Sequence, residues 1–232
     1  MIVLVDYDNL NEIHIRKGLQ FIVDSIVSLI DTAHVTGNRI TVRLYGGWYE
    51  KNKSTVKAQK LEAEIRQNFP TNSILSDNTT SVIVNCELAY SILADPTFHL
   101  VYTFRKKGIP SGLKAYSPIK EGCTDTNCPI KVISDFLQNK KCPKCNRVKP
   151  DKIFYRGEQK LIDSMITTDL IFNSFNMKEN ICLVSSDDDF WPGIRASLLL
   201  NSNTLIHIHT QNSPSSTFYT KTISSNYIQR QL

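Results

Sequence analysis

"LVSSDDDFWPGI", residues 183–194, ends an apolar run with three consecutive aspartates. Residues 181–184, Ile-Cys-Leu-Val, read as a buried parallel strand that stops at the carboxyl edge of a sheet. Adjacent carboxylates repel one another, which raises their pKa values or calls for a cation. Alternation along the extended end puts Asp187 and Asp189 on one side and Asp188 on the other. Working outward, residues 1–5 form a second apolar run, and it too ends in an acid, Asp6 of "VDYDN". In open α/β sheets ligands bind at the carboxyl ends of strands. If these two strands are neighbours, their carboxylates converge.

The rest of the chain alternates between the periods of helix and strand. Residues 18–31 carry Phe21, Ile22, Ile26, Leu29 and Ile30 at helical spacing. Residues 39–47, "RITVRLYGG", read as a strand stopped by two glycines. Residues 54–69 read as a helix with Ser54 as N-cap. Residues 82–94 fit either a strand running into a helix or one helix. "FHLVYTF", 98–104, reads as a strand, broken by "RKKGIPSG"; "KIFY", 152–155, reads as a short one. Residues 158–175 form an amphipathic helix through Leu161, Ile162, Met165, Ile166 and Leu170. A helix over 192–201, with Pro192 in its first turn, and a strand over 204–210 follow. The last twenty or so residues are polar and carry no assigned element. This alternation predicts an α/β fold with a central parallel sheet and helices on both faces.

With 232 residues, 41 % hydrophobic and 21 % charged, the chain suits one globular domain with an insertion. No apolar run reaches the roughly 20 residues of a membrane-spanning helix. The first ten residues lack the basic front of a signal peptide, so a cytoplasmic protein is the expectation. Net charge is +5, a bias compatible with a polyanionic partner. The basic residues cluster: Lys140, Lys141, Lys144, Arg147, Lys149, Lys152, Arg156 and Lys160 face only Asp151 and Glu158. A solvated lysine-rich loop has the same composition.

The carboxylates come from three segments: "VDYDN", "KLIDSMITTD" and "SSDDDF". Asp6, Asp163, Asp187 and Asp189 in one pocket would suit a hard divalent cation, Mg²⁺ or Mn²⁺. Such an ion activates water and neutralises a phosphodiester during in-line attack. Asp8 and Asp188 read as ordinary turn or cap aspartates. Cys86 and Cys182 lie in apolar segments and read as buried, reduced fillers. Cys123, Cys128, Cys142 and Cys145 form C-x4-C and C-x2-C pairs within an insertion, 113–149, and read as a structural Zn²⁺ ribbon. Its lysines and Arg147 would hold substrate phosphates. "YGGWYEKNK", 45–53, offers Trp48 either as a base-stacking ring or as core packing. His207 and His209 share one face of a strand, as a ligand pair or as a half-buried polar face.

In this order the three acidic segments resemble the signature motifs of the NYN family of PIN-like ribonuclease domains, in the pattern of its bacterial LabA-like branch. Asp6 and Asn9 match the first motif; Lys160, Asp163 and Asp169 the second; Ser185, Ser186, Asp187, Asp189, Phe190 and Pro192 the third. Ser186 stands where the family has glycine. The resemblance covers residues 1–112 and 150–210. It implies a PIN-like, Rossmann-like three-layer nuclease domain over 1–112 and 150–232, and metal-dependent endoribonuclease activity. It implies Asp6, Asp163, Asp187 and Asp189 as the catalytic, Mg²⁺- or Mn²⁺-binding set, with Asn9 orienting a carboxylate or substrate and Asp169 secondary. RNA would be held by Lys160, Arg156, Lys144, Arg147 and Trp48. Homo-oligomers are common in that family.

Two other readings fit part of the pattern. "LVDYDNL" resembles the first motif of haloacid-dehalogenase-type phosphatases, with Asp6 as nucleophile and Asp8 as general acid. Leu10 departs from that motif, and the helix of Asp163 and Asp169 is left unexplained. The third reading is an RNA-binding module without catalysis.

Overall fold

The computed structural model describes residues 1–108, 116, 118–125, 127–177, 179–200, 203–211 and 225–232. The chain divides into two compact units, Met1–Phe104 with Gln159–Leu232, and Arg105–Glu158. The strands are β1 (Ile2–Asp6), β2 (Arg39–Tyr45), β3 (Tyr49–Glu50), β4 (Lys53–Ser54), β5 (Thr71–Ile74), β6 (Ser81–Leu88), β7 (Phe104–Gly108), β8 (Tyr155–Gln159), β9 (Ile181–Val184), β10 (Leu205–His209) and β11 (Tyr227–Gln231). The α-helices are α1 (Glu12–Arg16), α2 (Leu19–Val27), α3 (Val56–Asn68), α4 (Pro129–Asn139), α5 (Pro150–Ile153), α6 (Ile162–Phe172) and α7 (Trp191–Leu200).

The larger unit is built on a seven-stranded sheet in the order β11-β10-β9-β1-β2-β6-β5. All neighbours are parallel except β5, which runs antiparallel to β6 at one edge. β1 lies between β2 and β9, with Val5 opposite Leu44 on one side and Val184 on the other. Buried on both faces, β1 has no polar residue before Asp6. Its side chains alternate between two cores: Val3 and Val5 face one, Ile2 and Leu4 the other. β9 divides the same way, Cys182 and Val184 against Ile181 and Leu183. Leu19, Ile22 and Ile26 of α2 and Leu61 of α3 close the first core. Met165 and Ile166 of α6 and Trp191 and Ile194 of α7 close the second. The result is helices on both faces of a mostly parallel sheet, as the alternation of elements predicts.

Several segments differ from the sequence reading. Residues 98–103 are not a strand: Tyr102 has a left-handed φ of 62°, which interrupts an extended ladder, and the strand begins only at Phe104. "RKKG" is therefore strand, not break. Residues 82–88 are strand β6, with no helix behind it, because alternate residues Val82, Val84, Cys86 and Leu88 all enter one core. Lys152 and Ile153 belong to the short helix α5, Phe154 follows it in an extended conformation, and the strand begins at Tyr155. Thr55, not Ser54, caps α3, accepting the Ala58 N–H at 3.3 Å. Phe21 and Leu161 are exposed; Leu161 lies outside α6, at the capping position, with φ 72°. The polar tail contributes β11, paired in parallel with β10. Asn201 and residues 109–115 and 212–224, which fall in the reading of the last helix, the insertion and the tail, lie outside the described residues.

His207 and His209 are both buried, not half-exposed, with ring centroids 4.0 Å apart. His207 Nε2 lies 3.0 Å from the Ser185 carbonyl, which only accepts, so Nε2 carries the proton; Nδ1 then accepts from the Tyr227 hydroxyl at 2.8 Å. Burial, and then His209, push the His207 pKa down from 6.5 to about 3. A depressed histidine pKa leaves stability intact above 6.5 and removes it as pH falls toward 3. Between pH 6.5 and 5, wild type is expected to lose about 2 kcal/mol more than His207→Gln, at about 1.4 kcal/mol per pH unit. Urea unfolding at the two pH values checks this; equal losses in both proteins would refute it.

The smaller unit holds α4, α5, most of β7 and β8, and the cysteine pairs. It takes in more of the chain than the 113–149 delimited by sequence. Thirteen Lys and Arg stand against five Asp and Glu between residues 105 and 158, so this unit carries +8 and the remainder of the chain −3. Cys128 is the residue before α4, with Pro129 at the first helical position. Cys142 and Cys145 lie in a tight turn closed by Cys142 N–H to Val148 O (2.8 Å) and Asn146 N–H to Cys142 O (2.9 Å). Among the described residues no helix is long and apolar enough to cross a membrane.

Candidate carboxylate site at the carboxyl edge of the sheet

The chain runs outward from β1 through β2 to β6, then returns to place β9 on the other side of β1 and runs outward again. Such a reversal opens a crevice at the carboxyl ends of the strands. Asp6 ends β1, Asp187 follows β9, and Asp163 lies in the first turn of α6. The acidic residues from three distant segments therefore meet at one edge.

Asp6 is 5 % exposed. The Ser185 hydroxyl donates to Asp6 Oδ2 at 3.2 Å and accepts the Asp187 N–H at 3.1 Å, coupling the ends of β1 and β9. Asp187 Oδ1 accepts the Asp189 N–H at 3.0 Å and caps the short 3₁₀ turn that follows. Burial drives the Asp6 pKa from 3.8 up to about 7, against the Ser185 hydrogen bond, and Asp163, Asp8 and Asp187 add repulsion. Asp163 is more exposed; desolvation of its carboxyl, then Asp187 and Asp189, raise its pKa, while Lys160 opposes them. The four acids thus form one electrostatic cluster, with Lys160 as a cation in reach of Asp163.

Asn9 acts on the loop rather than on a carboxylate. Its Oδ1 accepts the Ser186 N–H at 3.0 Å and the Thr210 hydroxyl at 2.7 Å. Ser186 extends the same lattice: its hydroxyl accepts N–H groups of Thr210 and Gln211, both at 2.8 Å, and donates to Gln211 O at 3.1 Å. These bonds fix the loop that presents Asp187.

Three assignments change. Trp48 is 1 % exposed, its indole N–H bonded to Leu44 O at 3.0 Å, so it is core and has no face for a base. Asp169 is fully buried, away from solvent, where it accepts from the Tyr45 hydroxyl (2.5 Å) and Leu93 N–H (2.7 Å) and pairs with Arg43 Nε (3.4 Å). It is a packing carboxylate. Asp8 is ion-paired with Lys57 and accepts the Gly47 N–H at 3.2 Å. Lys57 was missed from sequence; its spacing from Asp8 gave no local signal. Lys144, Arg147 and Arg156 belong to the smaller unit.

The donor chemistry of the cluster fits a hard divalent cation: oxygen ligands only, with charge that the protein leaves largely uncompensated. The cysteines fit a thiophilic one. Lys131 N–H, the Cys123 thiol and Ile130 N–H lower the Cys128 pKa; Val148 and Arg147 N–H groups and the Cys142 thiol lower that of Cys145. Among the described residues, however, no three His, Cys, Asp or Glu side chains are grouped closely enough to hold a metal ion. His207 and His209 belong to no such group of three, and His209 has no hydrogen-bond partner for either ring nitrogen among those residues. No family model, no curated protein and no solved structure matches this chain.

Proposed function

We propose that the protein is a metal-dependent endoribonuclease with a PIN-like, Rossmann-like nuclease domain. The observation that carries this reading is the meeting of Asp6, Asp163, Asp187 and Asp189 at the reversal point of the sheet, with Asp6 held near 7. A bound Mg²⁺ or Mn²⁺ would supply Lewis acidity and an activated water. The chain's own part is to hold the four carboxylates through Ser185, Asn9 and Ser186, and to balance Asp163 with Lys160. The +8 charge of the smaller unit supports RNA as the partner, with Lys144, Arg147 and Arg156 as phosphate contacts that give affinity rather than sequence choice. Its four cysteines would take structural Zn²⁺ as a ribbon, the amide-bonded thiols of Cys128 and Cys145 favouring the thiolate form. A cytoplasmic setting suits reduced thiols, and self-association belongs to the same proposal. The phosphatase reading needs Asp8 as a free acid, and Asp8 is committed to Lys57 and Gly47.

Purified protein is expected to cleave structured RNA with Mn²⁺ or Mg²⁺ and to stop with EDTA. Asp187→Asn is expected to lower the rate at least about 100-fold. RNA binding without cleavage by wild type would reduce the protein to a binding module. Neither binding nor cleavage would end the nuclease reading.

A further inference from the structure

Next to the carboxylates, at the same end of the sheet, lies a cavity of about 300 Å³ lined by Asp8, Gly47, Thr55, Lys57, Phe104 and Gln159. That volume is at the small end of ligand sites. Its formal charges cancel: the Lys57 ammonium is paired with Asp8 and lies over the rings of Trp48 and Tyr7, at 5.1 and 5.5 Å. The Thr55 hydroxyl is also committed, donating to Gly47 O at 3.1 Å. Two groups are left to meet a ligand. One is the Phe104 ring; the other is the Gln159 carboxamide, which is tied to no described residue. Gly47 makes the ring's position possible, since a Cβ there would lie 3.1 Å from Phe104 Cβ and 3.2 Å from its Cδ2.

A neutral slot with an aromatic wall and one carboxamide suits a nucleobase. Bases stack on aromatic rings whatever their identity, and an amide matches a base edge with both a donor and an acceptor. A phosphate would need net positive charge, which the Asp8–Lys57 pair removes. A base still stacked in a duplex has no face to offer Phe104. We propose that this cavity takes one unstacked nucleobase of single-stranded RNA, stacked on Phe104 and hydrogen-bonded by Gln159, and thereby sets which phosphodiester meets Asp6 and Asp187. The identity of the strand that carries the base rests on the ribonuclease reading.

The test is binding in EDTA, where no cleavage intervenes, using the full chain. Fluorescence anisotropy would follow labelled single-stranded hexaribonucleotides of A, C, G or U and a matched duplex, with wild type, Phe104→Ala and Gln159→Leu. Phe104→Ala is expected to weaken single-strand binding about tenfold and leave the duplex unchanged. Gln159→Leu is expected to flatten the preference among the four bases. Gln159→Leu alone decides the question if Phe104→Ala does not fold by circular dichroism. Unchanged affinity and unchanged base preference in the folded variants would overturn the slot and leave the nuclease reading standing. If wild type binds no RNA, nucleoside monophosphates decide by NMR titration. Shifts abolished by Phe104→Ala or by Gln159→Leu would keep the slot while the RNA reading falls; no shifts would overturn the slot as well.

Discussion

Replacing Asp169 by alanine is expected to cost the fold about 3–5 kcal/mol, the penalty of leaving a buried partner charge uncompensated. Arg43 is 6 % exposed and lies between Asp169 and Glu87; its Nε, 3.4 Å from Asp169, donates to the Tyr45 hydroxyl, and Nη2 donates to the Ser91 carbonyl. Asp169, like Tyr45, has no exposure at all; it accepts from the Tyr45 hydroxyl and the Leu93 amide and pairs with Arg43. Alanine strands the Tyr45 hydroxyl and the Leu93 amide and takes one of its two counter-charges from Arg43. Asparagine keeps one acceptor, for the Leu93 amide, and puts an NH2 group where Oδ2 met Tyr45 and Arg43, so Asp169→Asn is expected to cost less than Asp169→Ala by about the one hydrogen bond it keeps, ~1 kcal/mol. Denaturant midpoints at pH 7 measure both. Equal, small losses would mean that Arg43 is satisfied by Glu87 alone. Metal-dependent cleavage per folded molecule should be nearly unchanged in Asp169→Asn, since Asp169 is a packing group; a 100-fold loss there would return it to the active site.

Asp6→Asn is expected to act in the opposite direction on stability and to abolish cleavage. A carboxyl raised from 3.8 to about 7 favours the fold below its unfolded pKa and loses that contribution as pH rises through 7. Above pH 7 the penalty approaches about 4 kcal/mol, at about 1.4 kcal/mol per unit. Asparagine has no such penalty and still accepts from the Ser185 hydroxyl. Without metal, the variant should therefore gain about 2–4 kcal/mol over wild type at pH 8, and almost nothing at pH 4. Millimolar Mg²⁺ or Mn²⁺ should narrow the gap by stabilising wild type alone, because a ligand that binds only the native state raises its stability. Thermal melts at the two pH values, with and without cation, test each part. No gain at pH 8 would mean that the Asp6 charge is already compensated within the protein. A gain untouched by cation would remove the metal from this site, even if RNA is cleaved.

The chain by itself determined the alternating layers and the acids at the strand ends. A strand buried on both faces has to be continuously apolar, so β1 and β9 stood out, and their terminal aspartates stood out with them. Helices α2 and α6 followed from their apolar spacing for the same reason of one-sided burial, and α3 and α7 from the capping and proline signals at their starts. Short or edge strands carry no such pressure. β5, β7 and β11 are held by backbone pairing, β7 and β11 with partners more than twenty residues away, and their mostly polar, exposed side chains look like loop. Only the tertiary structure decided which acids share a site. Asp163 and Asp169 are six residues apart on one helix, but one opens toward Asp187 while the other is sealed against Arg43 and Tyr45. Trp48 and Lys57 were decided the same way, since burial and long-range ion pairs depend on how β2 and α3 pack, which no local spacing encodes.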